Sequence, residues 1–399
     1  MNNTENEILN EAADEINAAE KKNFKNTGNI ITAALFFAVL IVLPLITLFS
    51  KKESFSQLEN RSLQKQPEFS FDSWFDGDFM DEFEAFVSDH FAGRVKWIEA
   101  KLRTELILGK KEINGIYITD SGLIEKTPEP DYTVMNKSIT AINALADETS
   151  TPVYVMIAPT SAGVYTDRIP KNAPQLDQHS IIDYVYSNLN TRISSIDAYD
   201  ILNASREDYI YYRNDHHWTS LGAYYAYSTA IQKLGFSPVP FSRYDIEHAS
   251  SEFMGTYYSK TLYNGLQPDT IDIYTAKYGS SVVSCTVSNA VGETTYDSIY
   301  FREFLDVKDK YSLYLGTNQA CIDIKTNLQS DKKILIFKDS YANSFVPFLT
   351  QHYNEITVLD MRYINDFRDY AVPEDYTHIL FLYNSTTFSS DDNIKKIAY

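Results

Sequence analysis

The sequence predicts an α/β fold: a parallel sheet with helices on both faces, a β-rich insertion, and one N-terminal transmembrane helix. Three observations carry this expectation. From about residue 130, short apolar runs alternate with stretches of helical periodicity. That is the pattern of strands buried on both faces between crossover helices. Between about 240 and 330 the alternation lapses into sequence rich in Tyr, Thr, Ser and Val. And residues 29–50 carry no charge at all.

The uncharged run comes first along the chain. Ile30 to Phe49 reads IITAALFFAVLIVLPLITLF, with two Thr as its polar groups. At ~1.5 Å per residue, twenty residues span a hydrocarbon core of ~30 Å. A membrane helix tolerates the internal Pro44. A buried core helix or a cleaved signal peptide are the alternatives. Ser50-Lys51-Lys52-Glu53 follows the run instead of an A-x-A-like site, which favours an uncleaved anchor. Three Lys precede the run and two follow it, so positive-inside counting is nearly balanced. An N-terminus-inside topology leaves residues 1–28 as a cytoplasmic tail, 29–50 as the anchor, and the remainder outside.

Residues 51–127 read as a juxtamembrane stalk and helical N-terminal region. Residues 51–77 are polar and turn-rich, and Phe79 to Leu108 shows helical spacing through Phe83, Val87, Phe91, Ile98 and Leu102. Asp120-Ser-Gly122 is a hairpin turn between Gly115–Thr119 and Leu123–Glu125. Residues 128–399 read as the main domain, with the insertion at about 240–330. In order come a helix over Val134–Glu148, a strand over Pro152–Ala158, and a helix over Ser180–Ser194. A strand over Tyr209–Tyr212 and a helix over Leu221–Leu234 follow, capped by Thr219 or Ser220. Ile334–Phe337, a helix around Ser344–Tyr353, Ile356–Leu359 and Ile379–Leu382 complete the set.

The charge balance narrows the function. Lys and Arg number 35 against 54 Asp and Glu, a formal −19. Six acidic residues against three Lys give the first 28 residues −3, so −16 belongs to the part after the anchor. An acidic chain lacks the basic face that nucleic-acid binding requires. Thirty Tyr, 23 Phe and 3 Trp make 14% of the chain aromatic. Tyr165, Tyr212, Tyr257, Tyr258, Tyr263 and Tyr341 flank the proposed rim or the insertion, and aromatic faces with a polar tip suit sugar rings. Cys285 and Cys321 are either one disulfide or two free thiols, and no Cys-based metal site is present.

Ligands of open parallel sheets bind beyond the carboxyl ends of the strands. Those ends supply Thr160 and Ser161, then Asn214, Asp215, His216, His217 and Trp218, then Lys338, Asp339 and Ser340, then Asp360 and Arg362, then Asn384 and Ser385. This is the inventory of a serine acyl-transfer site. Ser340 follows a buried-type strand and precedes a helix, a junction that exposes a hydroxyl and leaves helix-start N–H groups for an oxyanion. A helix-capping role is the alternative. Asp215 and His217 are two apart and would share one face of an extended segment, with His216 pointing elsewhere. His217 is then the general base and Asp215 its orienting partner. A surface His pair is the alternative. A metal would need three or more convergent ligands, which adjacent residues of a regular strand cannot offer. Trp218 either packs beside the site or stacks on a sugar, and Tyr341 is a further candidate substrate contact.

Asn214-Asp-His-His-Trp-Thr-Ser-Leu-Gly-Ala223 resembles the signature of the DHHW protein family of Gram-positive bacteria. It is also similar to the D-x-H-W-T motif of AlgJ/AlgX-type alginate O-acetyltransferases. Glu59-Asn-Arg61, Asp76-Gly77, Asp89-His90-Phe91 with Arg94, Asn114-Gly-Ile-Tyr117, Ile157-Ala-Pro159, Lys338-Asp-Ser-Tyr-Ala-Asn-Ser-Phe345 and Asp360-Met-Arg-Tyr363 agree in order, over essentially all of 55–385. The resemblance implies an SGNH-hydrolase-like domain with the Asp-x-His pair ahead of the Ser, so Asp215, His217 and Ser340 form the triad. Lys338 departs from the Gly-Asp-Ser form of the alginate enzymes, which puts the local turn in question. Gly316 and Asn318 are oxyanion-hole candidates by analogy, with a plain loop turn as the alternative. Arg362 either binds substrate or pairs with Asp360.

The leading expectation is therefore a membrane-anchored, extracytoplasmic Ser-His-Asp O-acyltransferase that acetylates a cell-surface or secreted polysaccharide. No cofactor or metal is expected. The resemblance implies a multi-pass membrane O-acyltransferase as acyl donor and a polysaccharide acceptor. A carbohydrate esterase with the same triad, and a non-catalytic envelope-binding protein, are the alternatives.

Overall fold

The computed structural model describes residues 2–289 and 291–398. Two compact units result, Met1–Ser56 with Arg61–Lys101, and Gln57–Asn60 with Leu102–Tyr399. In the first, helix α1 (Asn2–Phe49) contains a stretch, Lys25–Phe49, long and apolar enough to cross a membrane. Helices α2 (Phe71–Asp76) and α3 (Asp78–His90) follow, and α4 (Arg94–Ile107) begins in the same unit. The periodicity expected to run unbroken from Phe79 to Leu108 is interrupted at 91–93, where Gly93 takes φ +70°. Two blocks quoted from the sequence meet here. Asp89 accepts hydrogen bonds from Arg61 at 3.0 and 2.5 Å and from the Gln64 N–H at 2.8 Å. The bond from Arg61 holds the Asp89 carboxyl down at about 2.

The second unit is built on an eight-stranded sheet. Its strands are β1 (Val153–Ala158), β2 (Ile193–Ser195), β3 (Val282–Asn289), β4 (Gly292–Tyr296), β5 (Cys321–Thr326), β6 (Lys333–Lys338), β7 (Glu355–Leu359) and β8 (His378–Asn384). The order is β4-β3-β5-β7-β6-β8-β1-β2. From β7 to β2 every neighbour is parallel. Insertion strands β5, β3 and β4 extend the sheet antiparallel from β7. Register aligns Phe337 with both Leu359 and Phe381, and Ala158 with Asn384, so the carboxyl ends of four strands form one rim.

Alternation of side chains sends each strand's residues to two faces. Met156, Ile334, Ile336 and Leu380 pack with Ala223, Tyr227 and Ala230 of helix α7 (Ser220–Lys233). Val155, Leu335, Phe337 and Phe381 pack with Met135, Ile139 and Ile142 of α5 (Tyr132–Glu148) and Ile182 of α6 (Gln178–Asn188). Asp131 caps α5, and Thr219 caps α7. Cys285 and Cys321 are free thiols, each buried in the core of a different face of the sheet.

Two expectations are corrected. Ser180–Ser194 is not one helix, because Leu189 turns extended and Ile193–Ser195 becomes the outermost parallel strand. Tyr209–Tyr212 is not a sheet strand. The chain doubles back on itself there: the Thr219 N–H donates to Ile210 at 2.9 Å and the Tyr212 N–H to His217 at 3.2 Å, with an isolated bridge between Tyr211 and Trp218.

Two imidazoles inside this unit make it acid-sensitive. The Tyr227 hydroxyl accepts from the Val239 N–H at 2.9 Å and lies 2.7 Å from His352 Nε2, to which it can donate when the ring is neutral. Burial pushes His352 and His378 from 6.5 down to about 4. Their unfolded forms bind protons that the folded forms refuse, so stability is full above about 6.5 and is lost as pH falls towards about 4. Calorimetry at constant ionic strength should show Tm falling through that window. A flat Tm there would count against the neutral pair.

Candidate active site

The segment 213–218 is a tight loop between Tyr212 and helix α7, hung on one buried carboxylate. Asp269, fully buried, accepts from the Tyr209 hydroxyl at 2.5 Å and from the N–H groups of Arg213 and Asn214 at 2.9 and 2.8 Å. Gly222 in the same motif is needed for space, since a Cβ there would lie 3.2 Å from the Ile210 carbonyl carbon and nearer still to its oxygen.

This loop turns Asp215 back onto His217. Asp215 Oδ1 accepts from His217 Nδ1 at 2.6 Å and from the His217 N–H at 3.0 Å. Its Oδ2 accepts from the Thr256 N–H at 2.8 Å and from the Thr256 hydroxyl at 3.0 Å. Burial raises this carboxyl, but the charges of His216 and His217 and the bonds from His217 and Thr256 outweigh it and hold it well below the usual range. An ionised Asp215 fixes the Nδ1–H tautomer of His217. Nε2 is then the acceptor for the Ser340 hydroxyl, 2.8 Å away. Asp215 and His217 are buried and Ser340 is half-buried, open to solvent on the rim.

The three groups thus meet as expected, but by a turn rather than along a strand. His216 does not point elsewhere: its ring lies 3.7 Å from that of His217, and its Nδ1 bonds to the Thr256 hydroxyl at 2.7 Å. The ligand atoms of Asp215, His216 and His217 lie within 4.8 Å of one another, which corrects the argument that they cannot converge. Nδ1 and Nε2 of His217 are, however, already committed to Asp215 and Ser340.

Behind the nucleophile, Asp339 is buried and accepts from the Tyr341 N–H at 2.9 Å, the Asn384 N–H at 2.7 Å and the Asn384 amide at 2.6 Å. Helix α8 (Ala342–Leu349) therefore starts with its leading N–H groups occupied. Those of Ala342 and Asn343 bond to the carbonyls of Asp339 and Ser340. The Ser340 N–H has no partner among the described residues.

Trp218 is fully buried, and its Nε1–H donates to the Tyr341 carbonyl and the Ser344 hydroxyl, both at 3.0 Å. Tyr341 is fully buried too, donating from its hydroxyl to the His216 carbonyl at 2.5 Å. Of the two roles expected for Trp218, packing is the one observed; with Tyr341, which also lines the cleft beside His216, it clamps the motif loop to the nucleophile turn. Tyr165, Tyr212 and Tyr257 are likewise buried, and Tyr257 lines the cleft beside His216.

Lys338, the departure from Gly-Asp-Ser, is buried with a purpose visible in its contacts. Its ammonium donates to Asn318 Oδ1 at 2.8 Å and lies 3.4 Å from Asp360, while Arg362 grips the same carboxylate through Nε at 2.8 Å and Nη2 at 2.5 Å. Burial lowers the Lys338 pKa and Asp360 opposes it. Of the two roles expected for Arg362, pairing with Asp360 is the one observed. Gly316 takes φ +76° directly after Leu315 at +63°, a left-handed turn. Among the described residues, no bond links Gly316 or Asn318 to Ser340.

Four contributors escaped the sequence reading, all from the insertion: Gly255, Thr256, Asp269 and Tyr311. The Tyr311 ring stacks on His217 at 3.6 Å and 8°, and its hydroxyl donates to the Ser340 carbonyl at 3.0 Å. Gly255 leaves room for the Asp215 carboxyl, whose carbon would lie 2.6 Å from an added Cβ. Gly255→Ala should therefore displace Asp215 and slow acylation of Ser340 by about the ~10²-fold that a 1 Å misplacement costs, read with an activated acetyl ester. An unchanged rate would show that Asp215 has slack. On the far side of His216 opens a cleft of about 190 Å³, lined by Lys126, Thr160, Lys260, Asn384 and Thr387 among others.

A model of the DHHW protein family matches residues 131–359. This chain belongs to the DHHW protein family. A DHHW family protein from Eubacterium siraeum DSM 15702 shares its fold at a TM-score of 0.63 and 27% identity, over 72% of this chain and 95% of that one. Bacillus cereus PatB1, solved with a sulfonyl adduct, matches at 0.61 and 22%, over 71% and 98%. The O-acetyltransferase domain of Pseudomonas putida AlgJ is more distant, at 0.43 and 13%, over 69% and 93%. No curated protein sequence matches the chain. The DHHW fold here is α/β, with the motif's Asp215 and His217 on the loop that faces Ser340.

Proposed function

We propose that this DHHW protein is a membrane-anchored, extracytoplasmic serine O-acyltransferase that modifies a cell-envelope polysaccharide. The observation that carries the proposal is His217, held between Ser340 at 2.8 Å and Asp215 at 2.6 Å at the carboxyl rim of the parallel sheet. His217 Nε2 takes the Ser340 proton as Oγ attacks the acyl carbonyl carbon. The imidazolium then gives that proton to the departing group, leaving acyl-Ser340. In the second half an acceptor hydroxyl gives its proton to Nε2, attacks the same carbonyl carbon, and Ser340 leaves with the proton returned. Asp215, ionised and fully hydrogen-bonded, stabilises the transient imidazolium. The Ser340 N–H is the donor available to the oxyanion, and Asn318 remains a candidate second donor.

The apolar stretch Lys25–Phe49 supports an anchor with the N-terminus inside. It would hold the site near a donor that crosses the bilayer, for which a multi-pass membrane O-acyltransferase is the expected partner. The cleft beside His216, polar and charged with Tyr257 and Tyr341 in its wall, supports a sugar acceptor. The test supplies an activated acetyl ester with and without envelope glycan fragments. Acetylated glycan that disappears with Ser340→Ala supports transfer. Acetate alone, at a rate unaffected by any acceptor, would make the protein an esterase. Full activity in Ser340→Ala would end the serine mechanism.

A further inference from the structure

The first unit exposes far more apolar surface than a solvated surface normally carries. Phe71 and Phe75 are 73% and 82% exposed, and Trp74, Met80 and Phe83 about half. These are not scattered. Phe71, Phe69, Phe79 and Phe83 form a chain of rings with centroids 5.4–5.9 Å apart, and Trp74 joins it at 5.9 Å from both Phe69 and Phe79. The chain leads into a groove of about 570 Å³ between α3 and α4, lined by Phe83, Val87, Phe91, Trp97 and Ile98.

The position of the membrane stretch says what covers this surface. The corner between α3 and α4 is tied to the last turn of α1, where the Ala92 N–H donates to Thr47 Oγ1 at 3.0 Å. The Lys52 ammonium bonds to the Thr47 carbonyl as well. Thr47 lies two residues before the end of the apolar stretch at Phe49, so the corner sits within ~3 Å along the axis of that end. That is the level of the headgroups, where Trp and Phe are at home.

We infer that α2, α3 and the groove beside α4 form a phospholipid-binding face, seated in the leaflet where α1 leaves the membrane at Phe49, with an acyl chain in the groove. The inference rests on the membrane-anchor reading above. Residues 61–101 carry nine acidic against five basic side chains. Attraction to anionic headgroups therefore contributes nothing, and the contact is one of apolar insertion that salt does not loosen.

The chain's tryptophans make the test direct. There are three: Trp74 and Trp97 on this face, and Trp218 fully buried in the other unit. The full chain is reconstituted in phosphatidylcholine vesicles whose acyl chains are brominated near the headgroup, and flotation is checked first. Bromine should lower Trp emission by a third or more relative to unbrominated vesicles, and 1 M salt should not restore it. Trp97→Phe should remove part of the quenching and leave Trp218 emission in place. A chain that floats but shows equal emission in both vesicles overturns the lipid face and leaves the anchor standing; a protein partner would then be the occupant. A chain that does not float overturns both.

Discussion

His217→Ala should slow acylation of Ser340 by ~10⁴-fold or more at neutral pH. The imidazole is the only group within hydrogen-bond reach of the Ser340 hydroxyl among the described residues, at 2.8 Å. Without it the hydroxyl must lose its proton to water. The fold should survive, because Asp215 keeps its bonds from Thr256 and the loop keeps Asp269. A single-turnover measurement with an activated acetyl ester reads the rate, and circular dichroism reads the fold. A rate within tenfold of the parent would mean that another base serves Ser340.

Asp215→Asn should cost ~10⁴-fold in the same assay with little change in shape. The parent carboxylate accepts four hydrogen bonds, two on each oxygen. An amide has one acceptor oxygen. If that oxygen serves Thr256, its NH₂ faces His217 Nδ1 and demands the opposite tautomer, with the proton on Nε2 where the Ser340 hydroxyl must donate. If it serves His217, the Thr256 N–H and hydroxyl lose their acceptor. Either outcome damages the base. A substantial rescue of the rate by Asp215→Glu would support the carboxylate's role, and an Asp215→Asn variant within tenfold of the parent would contradict it.

Much of this site was legible because strand ends are legible. Buried runs such as Lys333–Lys338 and His378–Asn384 announce themselves by composition, and the residues after them collect on one rim by topology alone. The same reasoning misread Tyr209–Tyr212. Four apolar-looking residues in a row fit a strand, but their burial comes from packing a folded-back loop. Trp218 has two readings for a related reason: an aromatic beside a motif looks the same in sequence whether it faces substrate or the interior. Thr256, Asp269 and Tyr311 reach the site across 29–94 residues of chain from their partners. No local period marks such contacts. Only the Gly255-Thr256 step, small residues in a Tyr-rich insertion, offered a hint. Lys338 was recognised as a departure, but its use required the distances to Asn318 and Asp360.

The central claim is that Ser340 is the nucleophile, and a reagent that sulfonylates activated serines tests it. The full chain is treated with a sulfonyl fluoride, and its intact mass and peptides are measured. One sulfonyl group per chain on Ser340, absent in Ser340→Ala and strongly slowed in His217→Ala, is the predicted result. Modification of another residue, or equal labelling of the parent and Ser340→Ala, would contradict it.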